Sequence, residues 1–236
     1  MLTTRDTMNT SNGQTQRAGE FFNRLSPAAL RDLESMEFPT LYQPGMMLFS
    51  EKATPQGIFI VVSGEVKLSI NSSEGKRLIL SIAKAGEVLG LSSALSGLPS
   101  EMTAEIMHPS RIAIIERDQF IAFMGRHPEV YQVVTQELSL QYKVACEQLR
   151  TVALSGSAPE KLARLLLDWS ENGQKTEVGT RFRFSLTHEE IGEFIGASRE
   201  TVTRTLSTFK SRRLVAFHGS ILEIPSRVAL EHLAGV

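Results

Sequence analysis

Hydrophobic positions change their period along this chain, and each change marks an element boundary. Residues 66–70, VKLSI, alternate apolar with polar, NSSEG turns the chain, and RLILSIA resumes the alternation. A period of two is the mark of β-strands with one buried face. Around this hairpin Pro44-Gly45, Gly57, Gly64, Gly75, Gly86 and Gly90 recur at strand-plus-turn intervals. Phe38 to Glu116 therefore reads as an antiparallel barrel or jelly roll. Ahead of it, Ser26 as N-cap, Pro27 at the first helical position, and Leu30, Leu33 and Met36 at helical spacing predict a short helix.

After RDQFIAFMGRHPEV, which returns to a helical pattern, no Gly or further Pro interrupts the chain from Pro128 to about Leu154. A helix of that length runs roughly 38 Å at 1.5 Å per residue. Leu138, Tyr142, Ala145, Leu149 and Val152 follow alternating spacings of four and three, with Tyr131 and Thr135 extending the series. That is the seam of a two-stranded coiled coil and predicts a homodimer. Val133, Leu140 and Val144 lie off the seam and suit packing on the chain's own barrel, so both faces of the helix are used. Gly156 ends it, and Ser157 with Glu160 has capping-box spacing for a new helix. The expected division is a loose tail over residues 1–18, rich in Thr, Asn, Ser and Gln, a sensor-sized β domain over 19–127, a dimerisation helix and hinge over 128–156, and a final domain over 157–236. The last begins with the helix EKLARLLLDWS. A polar loop, ENGQKTEVGT, the strand RFRFS, two short helices and a hairpin through LVAFHGSILEI follow, with His218-Gly219 at the hairpin turn.

The two short helices carry dense local signals. Thr187 and Glu190 have capping-box spacing, Ile191 and Ile195 face inward, Gly192 allows close approach of a second helix, and Gly196 permits a left-handed turn. Ser198 then caps the second helix. This is a helix-turn-helix. At 100° per residue Val202, Leu206 and Phe209 share one side, while Arg199, Glu200, Thr203, Arg204 and Ser207 fan across the other. The free side matches base edges in a major groove. Arginine donates a bidentate pair to guanine, glutamate accepts from cytosine N4, and threonine meets a thymine methyl.

Composition sharpens this picture by contrast. The formal net charge is −1, so bulk charge points to no polyanionic partner. Between residues 199 and 213, however, five basic residues (Arg199, Arg204, Lys210, Arg212, Arg213) face one acid, Glu200. Double-stranded DNA is the partner this local field fits, with Lys210 contacting phosphate whatever the sequence. A single cysteine, Cys146, excludes a disulfide framework, a four-cysteine iron–sulfur ligand set and a cysteine-rich zinc site, and reads as a small core hydrophobe rather than a redox sensor. The first twenty residues hold no apolar stretch of signal-peptide length, and GIFIVV and RIAII are too short to span a bilayer. These features predict a cytoplasmic chain with no membrane partner. A cupin-like metal enzyme would need several histidines on the roll, which offers only His108, and phosphate-loop, nucleophile-elbow and zinc-protease patterns are missing. His108 and His127 have no partner at a spacing that suggests haem. The chain is read as a non-enzyme without a cofactor or metal.

From about residue 20 to the end, the β-roll glycines, the long helix and the winged helix with SRETVTR resemble the CRP/FNR superfamily of transcription regulators, named for the cyclic-AMP receptor protein and the fumarate–nitrate reduction regulator. The resemblance implies an α+β fold: an N-terminal β-roll like that of cyclic-nucleotide-binding proteins, a long dimerisation helix and a C-terminal winged helix-turn-helix. It implies that Arg199, Glu200 and Arg204 read bases of a TGTGA-like half-site. Thr187, Ser198, Thr201 and the His218-Gly219 wing turn would contact phosphates. It further implies a palindrome with half-sites about one helical turn apart, activation of transcription, and RNA polymerase as a partner.

The sensor end departs from the family's cyclic-AMP pattern. Members that bind it carry a cassette resembling GELGLF…RSA, whose glutamate holds the ribose and whose arginine holds the phosphate. In GLSSALSGLPSEMTAE (90–105) Leu91 stands at the glutamate position, Glu101 or Met102 at the arginine position, and Ala145-Cys146 replaces a Thr-Ser pair on the long helix. A phosphate buried beside Glu101 would lack a counter-charge, which argues against cyclic AMP in that mode. The N-terminal cysteines that hold an iron–sulfur cluster in the other branch are absent. A pocket formed by Gly90, Leu91, Met102, Thr103, Tyr142, Ala145 and Cys146 either holds an apolar or small effector or is filled by side chains in a constitutively active regulator.

Overall fold

The computed structural model describes residues 19–36, 38–154, 156–171 and 173–235; the tail expected over 1–18 lies outside the described residues. Helices α1 (Glu20–Asn23) and α2 (Pro27–Ser35) open the fold. Ser26 caps α2 by accepting from the Ala29 amide at 3.2 Å, with Pro27 in the first turn. Strands β1 (Thr40–Tyr42), β2 (Met47–Phe49), β3 (Gly57–Ser63), β4 (Glu65–Asn71), β5 (Arg77–Lys84) and β6 (Val88–Leu89) follow, then the short helix α3 (Leu91–Ser96), β7 (Thr103–Ile106) and β8 (Ser110–Glu116).

These strands form two antiparallel sheets, ordered β1-β8-β3-β6 and β2-β7-β4-β5. The architecture is the expected β-roll. Phe59, Val61, Val66, Ala83, Ala104 and Ile112 fill the space between the sheets. On the outer face of the first sheet Ile58, Ile60, Ala113 and Ile115 pack with Phe21, Leu33, Phe120, Phe123, Val130 and Val134 of the helices. Strand β3 is thus covered on both faces, which explains why GIFIVV reads as an unbroken apolar run. In β5 the pairing register slips, Leu68 facing Ser81 and Ser69 facing Ile79, so that Leu80 bulges out of the ladder.

Helix α4 (Arg117–Arg126) leads into the long helix α5 (Val130–Leu154). The C-terminal part comprises α6 (Ala158–Ser170), β9 (Gln174–Thr176), β10 (Gly179–Arg183), α7 (His188–Ile195), α8 (Arg199–Ser211), β11 (Ala216–His218), β12 (Ile221–Ile224) and α9 (Arg227–Ala234). Its sheet is ordered β11-β12-β10-β9. Part of the expected polar loop is a strand: β9, with no apolar alternation, pairs with β10 through its backbone and a Thr176 hydroxyl that donates to the Gly179 carbonyl at 3.0 Å. Helix α9, which the sequence pattern did not suggest, is capped by Ser226 and buries Leu230 and Ala234 on α6. The wing turn is also shifted by one residue. His218 ends β11 opposite Ile221, and the two turn residues are Gly219 and Ser220. No helix among the described residues is long and apolar enough to cross a membrane.

The helix-turn-helix domain is seated on its own roll. Ile79, Ile82 and Met107 of the roll join the cluster formed by Leu166, Phe194, Ile195 and Leu206. Gln148 of α5 donates to the Ile79 carbonyl at 2.8 Å and the Phe194 carbonyl at 2.7 Å, joining roll, long helix and α7 through one amide. Lys67 of β4, buried, lies 3.6 Å from Glu105 and 3.4 Å from Glu190 of α7.

Candidate nucleic-acid interface

Helix α7 begins with a reciprocal capping box: the Thr187 hydroxyl accepts from the Glu190 amide at 3.1 Å, and Glu190 accepts from the Thr187 amide at 3.0 Å. Partial burial raises the Glu190 carboxyl, but the bonds from the Thr187 amide and hydroxyl and then the contact from Lys67 together hold it below its usual range. The turn that follows demands glycine twice. Gly196 sits at φ +64°, where a side chain is strained. At Gly192 an added Cβ would lie 2.5 Å from the Ala197 carbonyl oxygen. The gap is closed because the Ala197 amide donates to the Gly192 carbonyl at 2.9 Å.

Ser198 caps α8 by accepting from the Thr201 amide at 3.3 Å. Val202, Thr205, Leu206 and Phe209 are buried, and Arg199, Glu200, Thr203, Arg204 and Ser207 are exposed. Among the described residues the Arg199 guanidinium makes no hydrogen bond or ion pair; Arg204 reaches only the Thr201 hydroxyl, at 3.4 Å. Backbone N–H at the helix start, the Ser198 hydroxyl and the two arginines hold the Glu200 carboxyl below its ordinary range, so it remains an ionised acceptor. Thr203 is placed differently from its neighbours. Its hydroxyl donates to the Arg199 carbonyl at 2.9 Å and lies 2.8 Å from His188 Nδ1, so apolar contact is the chemistry it keeps for a base. No local pattern singles out His188, because that contact spans fifteen residues across the turn.

The end of α8 meets the wing. The Lys210 ammonium lies 4.5 Å from the Phe217 ring centroid, seated over the wing. His218 Nε2 is 3.9 Å from Glu223, which also binds Arg181. Arg181, Arg183 and His218 share a shallow groove on the wing with Gln174. The two arginines were not among the expected contacts, since the strand RFRFS draws attention to its phenylalanines.

Helix α5 carries the expected seam unevenly. Tyr142 is 73% exposed and Leu149 65% exposed, and Ala145 is also uncovered. Leu138, in contrast, is half-buried against the roll's helical cluster. Val152 is half-buried, and its carbonyl accepts from Lys161 at 2.6 Å.

Between α5 and the roll lies a cavity of about 520 Å³. Of the residues expected there, Gly90, Leu91, Met102 and Ala145 line it, whereas Thr103, Tyr142 and Cys146 do not. Thr103 is buried with its hydroxyl accepting from the Glu51 amide at 3.0 Å. Tyr142 and Cys146 are rotated away on α5; the face toward the cavity is Glu137, Leu140, Gln141 and Val144 at three-and-four spacing, and it meets the expected dimer seam at Ala145. Cys146 is half-buried, and its thiol raises the pKa of the Tyr142 phenol one turn away. His108 and His127 face carboxylates: His108 Nε2 is 3.4 Å from Glu65, and His127 Nε2 is 2.9 Å from Asp32.

Two segments of the chain are similar to known domain families. Residues 39–150 match the cyclic nucleotide-binding domain, and residues 160–233 match the Crp-like helix-turn-helix domain. A CRP-like cAMP-activated global transcriptional regulator of Mycobacterium tuberculosis (strain CDC 1551 / Oshkosh) is 26% identical over 204 residues, covering 86% of this chain and 90% of that protein. The fumarate and nitrate reduction regulatory protein of Yersinia pestis is 25% identical over 194 residues, covering 82% and 77%. In structure, FixK2 from Bradyrhizobium japonicum superposes with a TM-score of 0.74 at 21% identity, over 84% of this chain and 96% of that one. At that identity the likeness carries the fold alone.

Proposed function

This chain belongs to the CRP/FNR family of DNA-binding transcription regulators, which are not enzymes, and from that premise we propose that it works as a homodimer on a palindromic, TGTGA-like site. Arg199, Glu200 and Arg204 read base edges, with Thr203 in apolar contact. Thr187, Ser198, Thr201, Lys210, His218 and Gly219 hold the phosphates. The observation that carries this reading is the outward fan on α8, whose charged groups the protomer leaves available. Pairing of two copies through Tyr142, Ala145 and Leu149 of α5 would set the distance between the two recognition helices. An effector in the cavity between α5 and the roll would act by binding unequally to DNA-competent and incompetent orientations of the helix-turn-helix domain. The lining of that cavity does not support cyclic AMP: Glu101, bonded to Ser92 at 2.8 Å, faces it where a phosphate-binding cation is needed. RNA polymerase is the protein partner an activator of this type would recruit.

Selection of bound sequences from random duplex DNA tests the proposal. A palindrome with two TGTGA-like arms is expected. Enrichment of no motif, or of a single unpaired arm, would overturn it.

A further inference from the structure

The cavity between α5 and the roll has a charge character opposite to that of a nucleotide site. Phe21, Leu89, Leu91, Met102, Leu140 and Val144 supply an apolar lining. Every ionisable side chain in the lining is an acid: Glu20, Glu87, Glu101 and Glu137, with no lysine, arginine or histidine among the described residues that line it. Two cations stand just outside it: Arg24 pairs with Glu20 and its charge also reaches Glu137, while Lys84, whose ammonium lies 5.6 Å from the Trp169 ring centroid, acts on Glu87.

The acids crowd one another. Burial pushes the Glu87 carboxyl up; the Lys84 backbone N–H and, more weakly, the Lys84 charge oppose this, and the charge of Glu137 adds to it. Burial also raises Glu137, the charge of Glu20 adding to it and that of Arg24 opposing. An anionic ligand would meet repulsion and lose its hydration without return. A ligand with an apolar body and one positive charge would gain on both counts, in a space of the size that small-molecule sites occupy.

We propose that this cavity binds a hydrophobic monoamine, its apolar part held between Leu91, Met102, Leu140 and Val144 and its ammonium group placed against Glu87 and Glu137. The assignment deepens, and rests on, the reading of this cavity as the effector site.

Three probes of one chain length separate the contributions: octylamine, octanol and octanoate, titrated calorimetrically into the full-length protein near neutral pH. Saturable binding of one molecule per protomer is expected in the order amine, alcohol, carboxylate. The amine should bind about tenfold tighter than the alcohol, the worth of one charge-assisted hydrogen bond. The double variant Glu87→Gln, Glu137→Gln should bring the amine down to the alcohol and leave the alcohol unchanged. Glu137→Asp, which keeps the charge, should retain most of the preference and serves if the double variant does not fold. Octanoate binding as well as octylamine, an amine preference that survives in a folded Gln variant, or no saturable binding of any probe would overturn the proposal. DNA affinity measured with and without octylamine separates this assignment from the effector reading. If the amine binds as expected while affinity for DNA is unmoved, the ligand class stands and the effector role falls.

Discussion

Helices α5 and α8 each present a face that the protomer's own cores leave uncovered, and the two faces are chemically opposite. On α8 it carries Arg199, Glu200, Arg204 and Lys210; on α5 it carries Tyr142, Ala145 and Leu149. Water satisfies the first at little cost and does not satisfy the second. The contrast indicates what each surface is for. A polar fan that the fold leaves exposed suits a ligand offering donors and acceptors in fixed directions, as base edges do. An apolar stripe at coiled-coil spacing suits a copy of itself.

The comparison predicts different failures on the two faces. Arg199→Ala or Arg204→Ala should weaken cognate binding by about 1–3 kcal/mol per half-site and relax base preference, so a dimer loses twice that; fluorescence anisotropy on cognate and scrambled duplexes measures it. Lys210→Ala, by contrast, should weaken both duplexes alike and lower the salt slope by about one per half-site. An Arg199→Ala variant that loses equally on both duplexes would contradict the assignment of that face. Leu149→Lys should leave each protomer folded but cost the pair roughly 2 kcal/mol or more of association, the scale of an interface hot spot. Sedimentation would then show monomers at concentrations where the unmodified chain is paired, and an unchanged dimer would remove α5 as the interface.

Smaller effects probe what holds the two faces in place. Gly192→Ala should cost about 1–3 kcal/mol, because the new methyl must push the Ala197 carbonyl away from a closely packed turn. Thermal unfolding reports that loss, and specific DNA affinity should fall with it as α8 shifts. The smallest effect belongs to Asp168 on α6, beside α5. Burial and then the charges of Glu171 and Glu147 raise its pKa from 3.8 to about 6. The folded state therefore holds this proton more tightly than the unfolded chain, and stability should fall as pH rises from about 4 through about 6 and level off above. Asp168 remains solvent-accessible, so the slope will be shallow. Asp168→Asn should flatten that part of the Tm–pH curve; an unchanged slope would assign it to another group.

Legibility in the sequence followed the range of the interactions involved. Thr187 with Glu190 and Ser198 with Thr201 bond over three residues, and Gly192 and Gly196 answer to a turn a few residues wide, so the helix-turn-helix is plain from residue types and spacing alone. The roll is legible through alternation and glycine spacing. Strand β9 is not, because QKT has no apolar pattern and is held only by its neighbour's backbone. Helix α9 escapes notice although Ser226 and Leu230 carry a cap and an apolar face, since the hairpin before it closes the winged-helix pattern. Tyr142 and Cys146 are near Ala145 in sequence and were expected beside it in the cavity, but helical rotation turns them away and brings in Glu137, Leu140 and Gln141.

What the amino-acid sequence determined alone is the set of local commitments: where strands alternate, where helices start and stop, and which groups on α8 are unneeded by its own core. These follow from backbone stereochemistry and side-chain period, which act over a few residues. Only the tertiary structure decided how the parts face one another. Gln148 ties Ile79 to Phe194, Lys67 reaches Glu190 over 123 residues, and four acids separated along the chain line one cavity. Such contacts depend on the packing of whole sheets and helices, where burial and charge are summed over neighbours that no local pattern reveals.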